Sequence, residues 1–479
     1  MAKVNEFEKG KISIGGARFS SESNMQYELS SVDDLTDSVL EELIQHHREN
    51  QVPRLKHLES YFKGENVNVL TGKRRREEHL ADNRATHNFA KYVSTFIQGY
   101  MMGVPLKTSY EDKNVDELLR EINRINDADE HNSELVLDQS IFGRAYELVY
   151  RNKDDEIRFV QLSVHNTFVI YDDTVDKQPI AAVRYYKQQF SDNSFVELYT
   201  DKVIKRYKLS DSNKLTYLED REQVFDYIPI VEYSNNKYRQ GDFEDVLSLI
   251  DLYDAAQSDT ANYMQDLNDA LLVIKGNLEI DVKQAQRMKE KNLLMLQTEM
   301  DGEGKPSNAD AFYIYKQYDV QGTESYKDRL FNNILLFTSI PNLLDDKKGT
   351  GNQSGEALKM KLFALAQKRA TKERLFKRGL RERYRLIENI LNKASEGSFD
   401  VNNINITFTE NLPSMIDREL EWFTKAGGEL SQETLLSNLS FVENAQEELD
   451  RINSESPQER AIANAYQFRE EVIEDEEEQ

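Results

Sequence analysis

Histidine and acidic side chains are the residues of this chain that could hold a metal ion or transfer protons. None of the seven histidines falls in the His-Glu-x-x-His spacing of a zinc site. His46 and His47 are adjacent, so on a helix they would point about 100° apart and could not form an i, i+4 ligand pair. Paired acids such as Asp345-Asp346 are frequent, but a two-metal nuclease needs several acids on one buried scaffold. We therefore predict no enzyme activity, no metal site and no cofactor.

Cysteine chemistry is excluded because the chain of 479 residues contains no cysteine. No disulfide, thiolate nucleophile or cysteine metal site can form, which fits a reducing cytoplasm. The first residues lack the apolar core of a secretory signal, and no apolar run reaches the length of a membrane span. We therefore predict a cytosolic protein without a membrane partner.

The segment from Ser339 to Met360 has the composition of a mobile, charged loop between two helices. Pro341 ends the first helical pattern, and a Gly-rich polar stretch precedes a longer helical pattern that begins at Ser354. A Gly-rich loop before a helix can also bind phosphate, but no Lys-Ser or Lys-Thr follows Gly355, as a Walker loop requires. The glycine spacing also misses the dinucleotide fingerprint. A flexible linker remains the simpler alternative.

The net charge of the chain limits how the protein could bind DNA. The 86 acidic and 61 basic residues give a formal net charge of -25, which argues against a broad surface that grips the duplex. An acidic wall would instead repel phosphate and let DNA slide. By composition alone, an ordinary acidic soluble protein is the better interpretation.

The hydrophobic pattern predicts helices in the first part of the chain and short strands after it. Residues 1–27 are polar and predicted to be disordered. Predicted helices cover 33–62, 89–102, 115–125 and 132–142. An antiparallel meander is predicted from strands at 146–150, 157–162, 167–171, 180–187, 194–199 and 202–208, with 224–227 and 230–233 completing the sheet.

The second half alternates long helices with small β segments. Predicted helices cover 243–268, 281–290, 324–340 and 354–393, and predicted strands cover 271–274, 293–296 and 312–315, with a loop at 302–309. A strand at 404–408 and helices at 414–426, 431–438, 442–453 and 457–472 precede a disordered acidic tail at 471–479.

The long helix carries the strongest basic block, between Lys361 and Arg385. Such a run can bind nucleic acid, but in an acidic protein we favour pairing with acids on a neighbouring subunit. The candidate interface residues are Arg374, Lys377, Arg378 and Arg381. The basic run Lys73 to Arg76 is interpreted as an exposed loop.

Three groups of residues resemble, in the same order, the portal proteins of tailed phages of Gram-positive bacteria. The first contains Asn83-Arg84, Asn88-Phe89, Gly99-Tyr100 and Gly103-Val104-Pro105. The second contains Ile228-Pro229-Ile230-Val231-Glu232-Tyr233, Asn235-Asn236, Gly241-Asp242-Phe243-Glu244 and Leu249-Ile250-Asp251. The third is Ser354-Gly355-Glu356-Ala357-Leu358-Lys359, and the similarity covers roughly residues 80–395.

This resemblance implies an α+β portal fold. Its expected parts are a wing of helices and antiparallel sheet (28–241), two stem helices (242–269 and 324–340), a small α/β clip (270–323), a tunnel loop (341–353), a long helix returning to the wing (354–398) and a helical crown (399–470). The tunnel-loop residues expected to face DNA are Asn342, Leu343, Leu344, Asp345, Asp346, Lys347, Lys348, Gly349, Thr350, Gly351, Asn352 and Gln353. The stem acids expected to line the channel are Asp254, Asp259, Asp266 and Asp269.

The resemblance also implies partners and a location. The chain is expected to form a dodecameric ring at one capsid vertex and to pass double-stranded DNA during packaging and ejection. Its expected partners are scaffolding protein, major capsid protein, terminase and head-to-tail connector proteins, in a virion assembled in the host cytoplasm. Two other classes remain open: a DNA-processing enzyme, such as a nuclease or terminase subunit, and a non-viral structural scaffold.

Overall fold

The computed structural model combines helices and sheets, as the sequence predicts. It describes residues 20–71, 81–210, 213–223, 226–267, 271–276, 293–297, 310–314, 319–342, 355–409, 416–426, 430–437, 439, 442 and 445–454. The chain divides into two compact units, one formed by Met1–Gln98 with Glu117–Asn403 and the other by Gly99–Asp116 with Ile404–Gln479.

The helices lie close to the predicted positions, except that the helix Val67–Leu70 was not predicted and the predicted helix 33–62 is divided in two. They are α1 (Asp37–His46), α2 (Val52–Phe62), α3 (Val67–Leu70), α4 (Phe89–Met102), α5 (Lys113–Ile125), α6 (Ala128–Phe142), α7 (Leu247–Leu267), α8 (Val320–Thr338), α9 (Gly355–Lys393), α10 (Ile416–Ala426), α11 (Gln432–Ser437) and α12 (Ala445–Ser454). Local caps fix several starts: the Asp319 carboxylate, for example, accepts a hydrogen bond from the Gly322 amide at 2.8 Å, before α8. One π-helical turn, His47–Gln51, joins α1 to α2.

The strands form separate sheets. They are β1 (Tyr27–Leu29), β2 (Lys107–Ser109), β3 (Arg144–Arg151), β4 (Ile157–Leu162), β5 (Thr167–Asp172), β6 (Pro179–Lys187), β7 (Ser194–Tyr199), β8 (Val203–Leu209), β9 (Leu215–Glu222), β10 (Ile230–Ser234), β11 (Leu271–Gly276), β12 (Leu293–Gln297), β13 (Asp310–Ile314) and β14 (Asn405–Thr407).

The predicted meander is confirmed for β5 to β8, which pair antiparallel in sequence order, and β9 extends it. The prediction of one sheet is wrong, because β10, β3 and β4 form a second antiparallel sheet. The predicted strand 224–227 is also wrong at Asp226 and Tyr227, which form a bend, while 224–225 lie outside the described residues. Strands β1, β2 and β9 were not predicted.

The beginning of the described chain is ordered, contrary to the prediction of disorder over residues 20–27. Tyr27 lies in β1, which pairs in parallel with β5, and its ring packs on Phe168 at a centroid distance of 4.9 Å. The Tyr27 side chain is buried in a core shared with α1 and the six-stranded sheet. Burial of this aromatic ring explains the order, because it removes a large apolar surface from water.

A three-stranded sheet lies between the two long helices α7 and α8 in the sequence. Its three strands confirm the predicted ones closely, and β11 pairs in parallel with β12 and antiparallel with β13. The predicted helix 281–290, the loop 302–309, the helix 457–472, the acidic tail and the basic run Lys73 to Arg76 lie outside the described residues.

The described residues of the second unit include β2, β14 and the short helices α10, α11 and α12. Strand β14 pairs antiparallel with β2 over three residue pairs. A small apolar cluster of Leu436, Leu439 and Val442 supports α11 and α12. Among the described residues, no helix is long and apolar enough to span a bilayer.

Candidate functional site

The candidate loop leaves α8 through a tightly closed helix end. Ser339 adopts a left-handed conformation at φ 64°, and its amide donates to the Leu336 carbonyl. The Ile340 amide donates to the Leu335 carbonyl at 2.9 Å, which completes a Schellman motif. Helix α8 therefore ends at Thr338, slightly before the predicted end at Ile340. The loop residues 343–354 lie outside the described part of the chain, so their contact with DNA stays a prediction.

Lys368 connects the helices on the two sides of this loop. Its Nζ atom donates to the Thr338 carbonyl at 3.1 Å, in the last turn of α8. The same ammonium lies 3.0 Å from a carboxylate oxygen of Asp242, just before α7. The positive charge also suits the negative end of the α8 dipole. One lysine therefore ties α9 to the end of α8 and to the residues just before α7.

A second lysine one turn later completes this junction. Lys372 is buried, and its Nζ atom lies 2.6 Å from the other carboxylate oxygen of Asp242. It also donates to the Asn235 side-chain oxygen. Burial acts to raise the pKa of Asp242, but Lys372 and Lys368 lower it below its ordinary value. The carboxylate is therefore charged and fully paired at neutral pH.

A buried ion pair anchors the far half of α9 to the second sheet. Arg383 on α9 and Glu147 on β3 are both fully buried, with 2.7 Å between nitrogen and oxygen. His131 and Tyr233 also bond the Glu147 carboxylate, at 2.6 and 2.8 Å. Burial alone would raise the pKa of Glu147, but Arg383 and His131 lower it to about 2. Because every carboxylate oxygen has partners, this pair fixes the position of α9 on the sheet.

Gly379 allows α9 to lie directly on β10. A Cβ atom at this position would lie 2.4 Å from the ring of Tyr233, which is closer than atoms can approach. One turn earlier, the ring of Phe376 packs on Tyr233 with a centroid distance of 5.0 Å. The helix and sheet therefore meet through a glycine and two aromatic rings.

One face of α7 holds an extended segment of the chain. The amides of Asn83, Ala85 and His87, two residues apart, donate to Asn262, Ser258 and Asp254 at 2.5, 2.9 and 2.9 Å. The three acceptors are spaced by four residues, so they form one stripe of the helix, and all three are fully buried. Alternate amides of an extended chain thus match successive turns of the helix.

This arrangement corrects the predicted role of Asp254. Its carboxylate accepts bonds from the His87 amide, the His87 ring and Asn66, and none of the side chain is exposed. Asp254 therefore cannot line a channel. Of the other predicted stem acids, Asp259 is exposed on α7, whereas the Asp266 side chain and Asp269 lie outside the described residues.

The basic block on α9 divides into a buried and an exposed set. Lys368, Lys372 and Arg383 pair with acids of their own chain, so the prediction that the block as a whole pairs across subunits is wrong for these three. The predicted interface residues Arg374, Arg378 and Arg381 are exposed, and Lys377 is half-buried. Their spacing of three and four residues places the three arginines on one face.

Sequence reasoning missed the structural roles of the motif residues. Asn235 and Asp242 receive the α9 lysines, and Glu244 receives the buried Arg54 at 2.5 Å. The sequence feature that could have indicated these roles is the cluster of polar residues just before an apolar helix. No group of three or more potential metal-binding side chains occurs in the described part of the chain.

Comparison with known proteins gives a family match over most of the chain. The family described as "Phage portal protein, SPP1 Gp6-like" matches residues 41–461. The chain is 24% identical over 390 residues to the portal protein of Clostridium phage phiCD119, covering 77% of this chain and 83% of that protein. It is also 24% identical over 399 residues to the portal protein of Bacillus phage SPP1, covering 79% and 77%.

Proposed function

The chain belongs to the SPP1 Gp6-like family of phage portal proteins, and on that premise we propose that it forms a ring at one capsid vertex. Double-stranded DNA enters the capsid through the ring during packaging and leaves through it during ejection. Terminase docks on the ring during packaging, and head-to-tail connector proteins replace it later. Scaffolding protein and major capsid protein surround the ring, which has twelve subunits and is assembled in the host cytoplasm.

The observation that carries this proposal is the fixed base of the loop. Lys368 holds the helix after the loop to the last turn of the helix before it, and buried ion pairs anchor α9 further along. Loops from all subunits of a ring can then converge on its axis, while the helices stay in place. We propose that residues 342–353 contact the DNA and that the exposed Asp259 lies in the channel wall, with Asp266 and Asp269 as further candidates.

The remaining parts are assigned on the same premise. The sheets and helices before residue 242 form the wing, α7 and α8 form the stem, and the three-stranded sheet between them belongs to the clip. Helix α9 returns to the wing, and the short helices after residue 399 belong to the crown. These assignments predict that terminase and connector contacts lie on the clip.

Shortening the loop tests the proposed DNA contact. Lys347 to Asn352 are replaced by two glycines, and the control replaces the same six residues by six glycines and serines. We expect normal ring formation and procapsid incorporation in both, but less packaged or retained DNA in the shortened variant. DNA content per particle is measured by quantitative hybridisation. Full DNA content in the shortened variant would show that these residues are only a linker.

The charge of the loop is tested separately. Asp345 and Asp346 lie beside two lysines, so the local charges nearly cancel and phosphate contacts stay weak. Replacing both acids by lysine should strengthen phosphate contacts and slow packaging, measured as DNA packaged per unit time in vitro. The control replaces both acids by asparagine, which should slow packaging less. An unchanged rate in the lysine variant would contradict the contact.

A further inference from the structure

The exposed face of α9 changes chemistry along its length. From Met360 onward, one line of its exposed positions is spaced by three and four residues in turn: Met360, Ala364, Gln367, Thr371, Arg374, Arg378, Arg381 and Arg385. This spacing places them in one stripe. The half near the loop is apolar or neutral, and Phe363 adjoins it; the other half carries four arginines. A partner must therefore be apolar at one end and acidic at the other.

A second apolar patch lies on the other side of the loop. Leu336 and Phe337, in the last turn of α8, are 69% and 64% exposed. Met360 and Phe363, near the start of α9, are 77% and 61% exposed. Because all four side chains stay mostly exposed, the two patches do not cover each other within one chain. Neighbouring apolar side chains that are exposed together often mark a protein–protein contact.

We propose that the α9 patch, Met360 and Phe363, packs against the α8 patch, Leu336 and Phe337, of a second copy of this chain. The inference rests on the proposed ring and names the contact that closes it. Two different patches that fit each other make a head-to-tail contact, which repeats from copy to copy and forms a ring when the rotation closes. The Lys368 bond to the Thr338 carbonyl keeps the two patches at a constant spacing in every copy.

Charge favours a second copy over DNA as the occupant. Apolar side chains gain nothing from phosphate. Arg385 pairs with Glu382 of its own chain at 2.6 Å, whereas Arg374, Arg378 and Arg381 have no ion pair among the described residues and favour an acidic surface. The chain itself carries a formal net charge of -25, so a neighbouring copy is on balance an acidic partner. The same stripe thus joins the predicted arginine interface to the apolar contact near the loop.

Cysteine cross-linking tests this contact cleanly, because the chain contains no cysteine of its own. A variant with both Phe337→Cys and Met360→Cys is treated with a short thiol-specific linker, as are the two single variants. A head-to-tail contact predicts a ladder of covalent multimers in the double variant and only monomers in each single variant. Covalent dimers of a single variant, or a monomer bridged only within itself in the double variant, would overturn the proposal.

Removing the apolar groups provides a second measurement. Leu336→Ser with Phe337→Ser should shift particle mass from rings toward the 55.8 kDa monomer. The control, Val175→Ser with Phe190→Ser, changes two fully exposed apolar side chains elsewhere and should leave ring mass unchanged. Native rings without a cross-linked ladder would overturn this contact and leave the proposed function standing. Absence of rings from the native chain would instead overturn the proposed function.

Discussion

The Nζ atom of Lys368 lies 3.1 Å from the main-chain oxygen of Thr338, which joins α9 to the last turn of α8. The same atom lies 3.0 Å from Asp242, just before α7. Lys368 thus links α9 to both of the other long helices. The segment between α8 and α9 therefore connects two helices that are already joined to each other.

Replacement of Lys368 by methionine should lower the free energy of unfolding by about 1 to 3 kcal/mol, because the Thr338 carbonyl and Asp242 each lose a charged partner. Denaturant unfolding followed by circular dichroism measures the change. The matched control is Lys361→Met on the same helix, since Lys361 makes no polar contact within the described residues. Equal effects of the two substitutions would show that the Lys368 bonds contribute nothing.

Substitution of Gly379 by alanine should destabilise the fold by about 1 to 3 kcal/mol, because the new methyl group would overlap the Tyr233 ring. Gly99→Ala is a matched control in another helix, where no atom lies within 4 Å of the added Cβ. Alanine has the higher helix propensity, so the control should be neutral or slightly stabilising. Thermal unfolding measures both, and stabilisation by Gly379→Ala would contradict the close approach of α9 and β10.

Glu147 should make stability depend on pH in acid. Its folded-state pKa of about 2 lies below the ordinary 4.5, so its contribution is fully present above pH 4.5 and is lost as the pH falls toward 2. The shift corresponds to about 3 kcal/mol. Glu147→Gln should lower stability at neutral pH, because Arg383 loses its buried partner, and should flatten the profile between pH 4.5 and 2. Urea unfolding at several pH values measures this, and parallel profiles would contradict it.

Reversal of Arg374, Arg378 and Arg381 to glutamate should shift rings toward monomers while leaving helicity nearly unchanged. These arginines are exposed in the single chain, and closure of a ring multiplies each lost contact, even at about 1 kcal/mol per interface. The control reverses three exposed lysines on other elements, Lys153, Lys187 and Lys237. Light scattering measures ring mass, and an unchanged mass in the arginine variant would reject the interface.

Local patterns were sufficient to predict most helices and strands. Helix α4 was predicted with its observed bounds, because an apolar stripe ends at Gly103 and Pro105. Strand β9 was missed because it carries the charged run Glu219 to Glu222 and is almost wholly exposed. It is held by pairing with β8, and such pairing depends on a neighbouring strand rather than on local composition.

The polar residues of the candidate site were harder to interpret from sequence. In the sequence, Asp254 cannot be told from an exposed acid on the same helix. In the structure, it accepts hydrogen bonds from a segment more than 160 residues away. Lys372 and Arg383 likewise fit an exposed basic face until Asp242 and Glu147 are placed beside them. The sequence pattern predicts which residues share a helix face, but the partners of that face come from the tertiary fold.

Electron microscopy of the purified full-length chain tests the central claim most directly. The family assignment and the exposed stripe of α9 predict closed rings with a hole along the axis in end-on views. The arginine reversals described above provide the control, since they should reduce the fraction of particles in rings. Monomers, compact small oligomers or assemblies without a central hole, at concentrations where the chain is pure and folded, would contradict a portal ring.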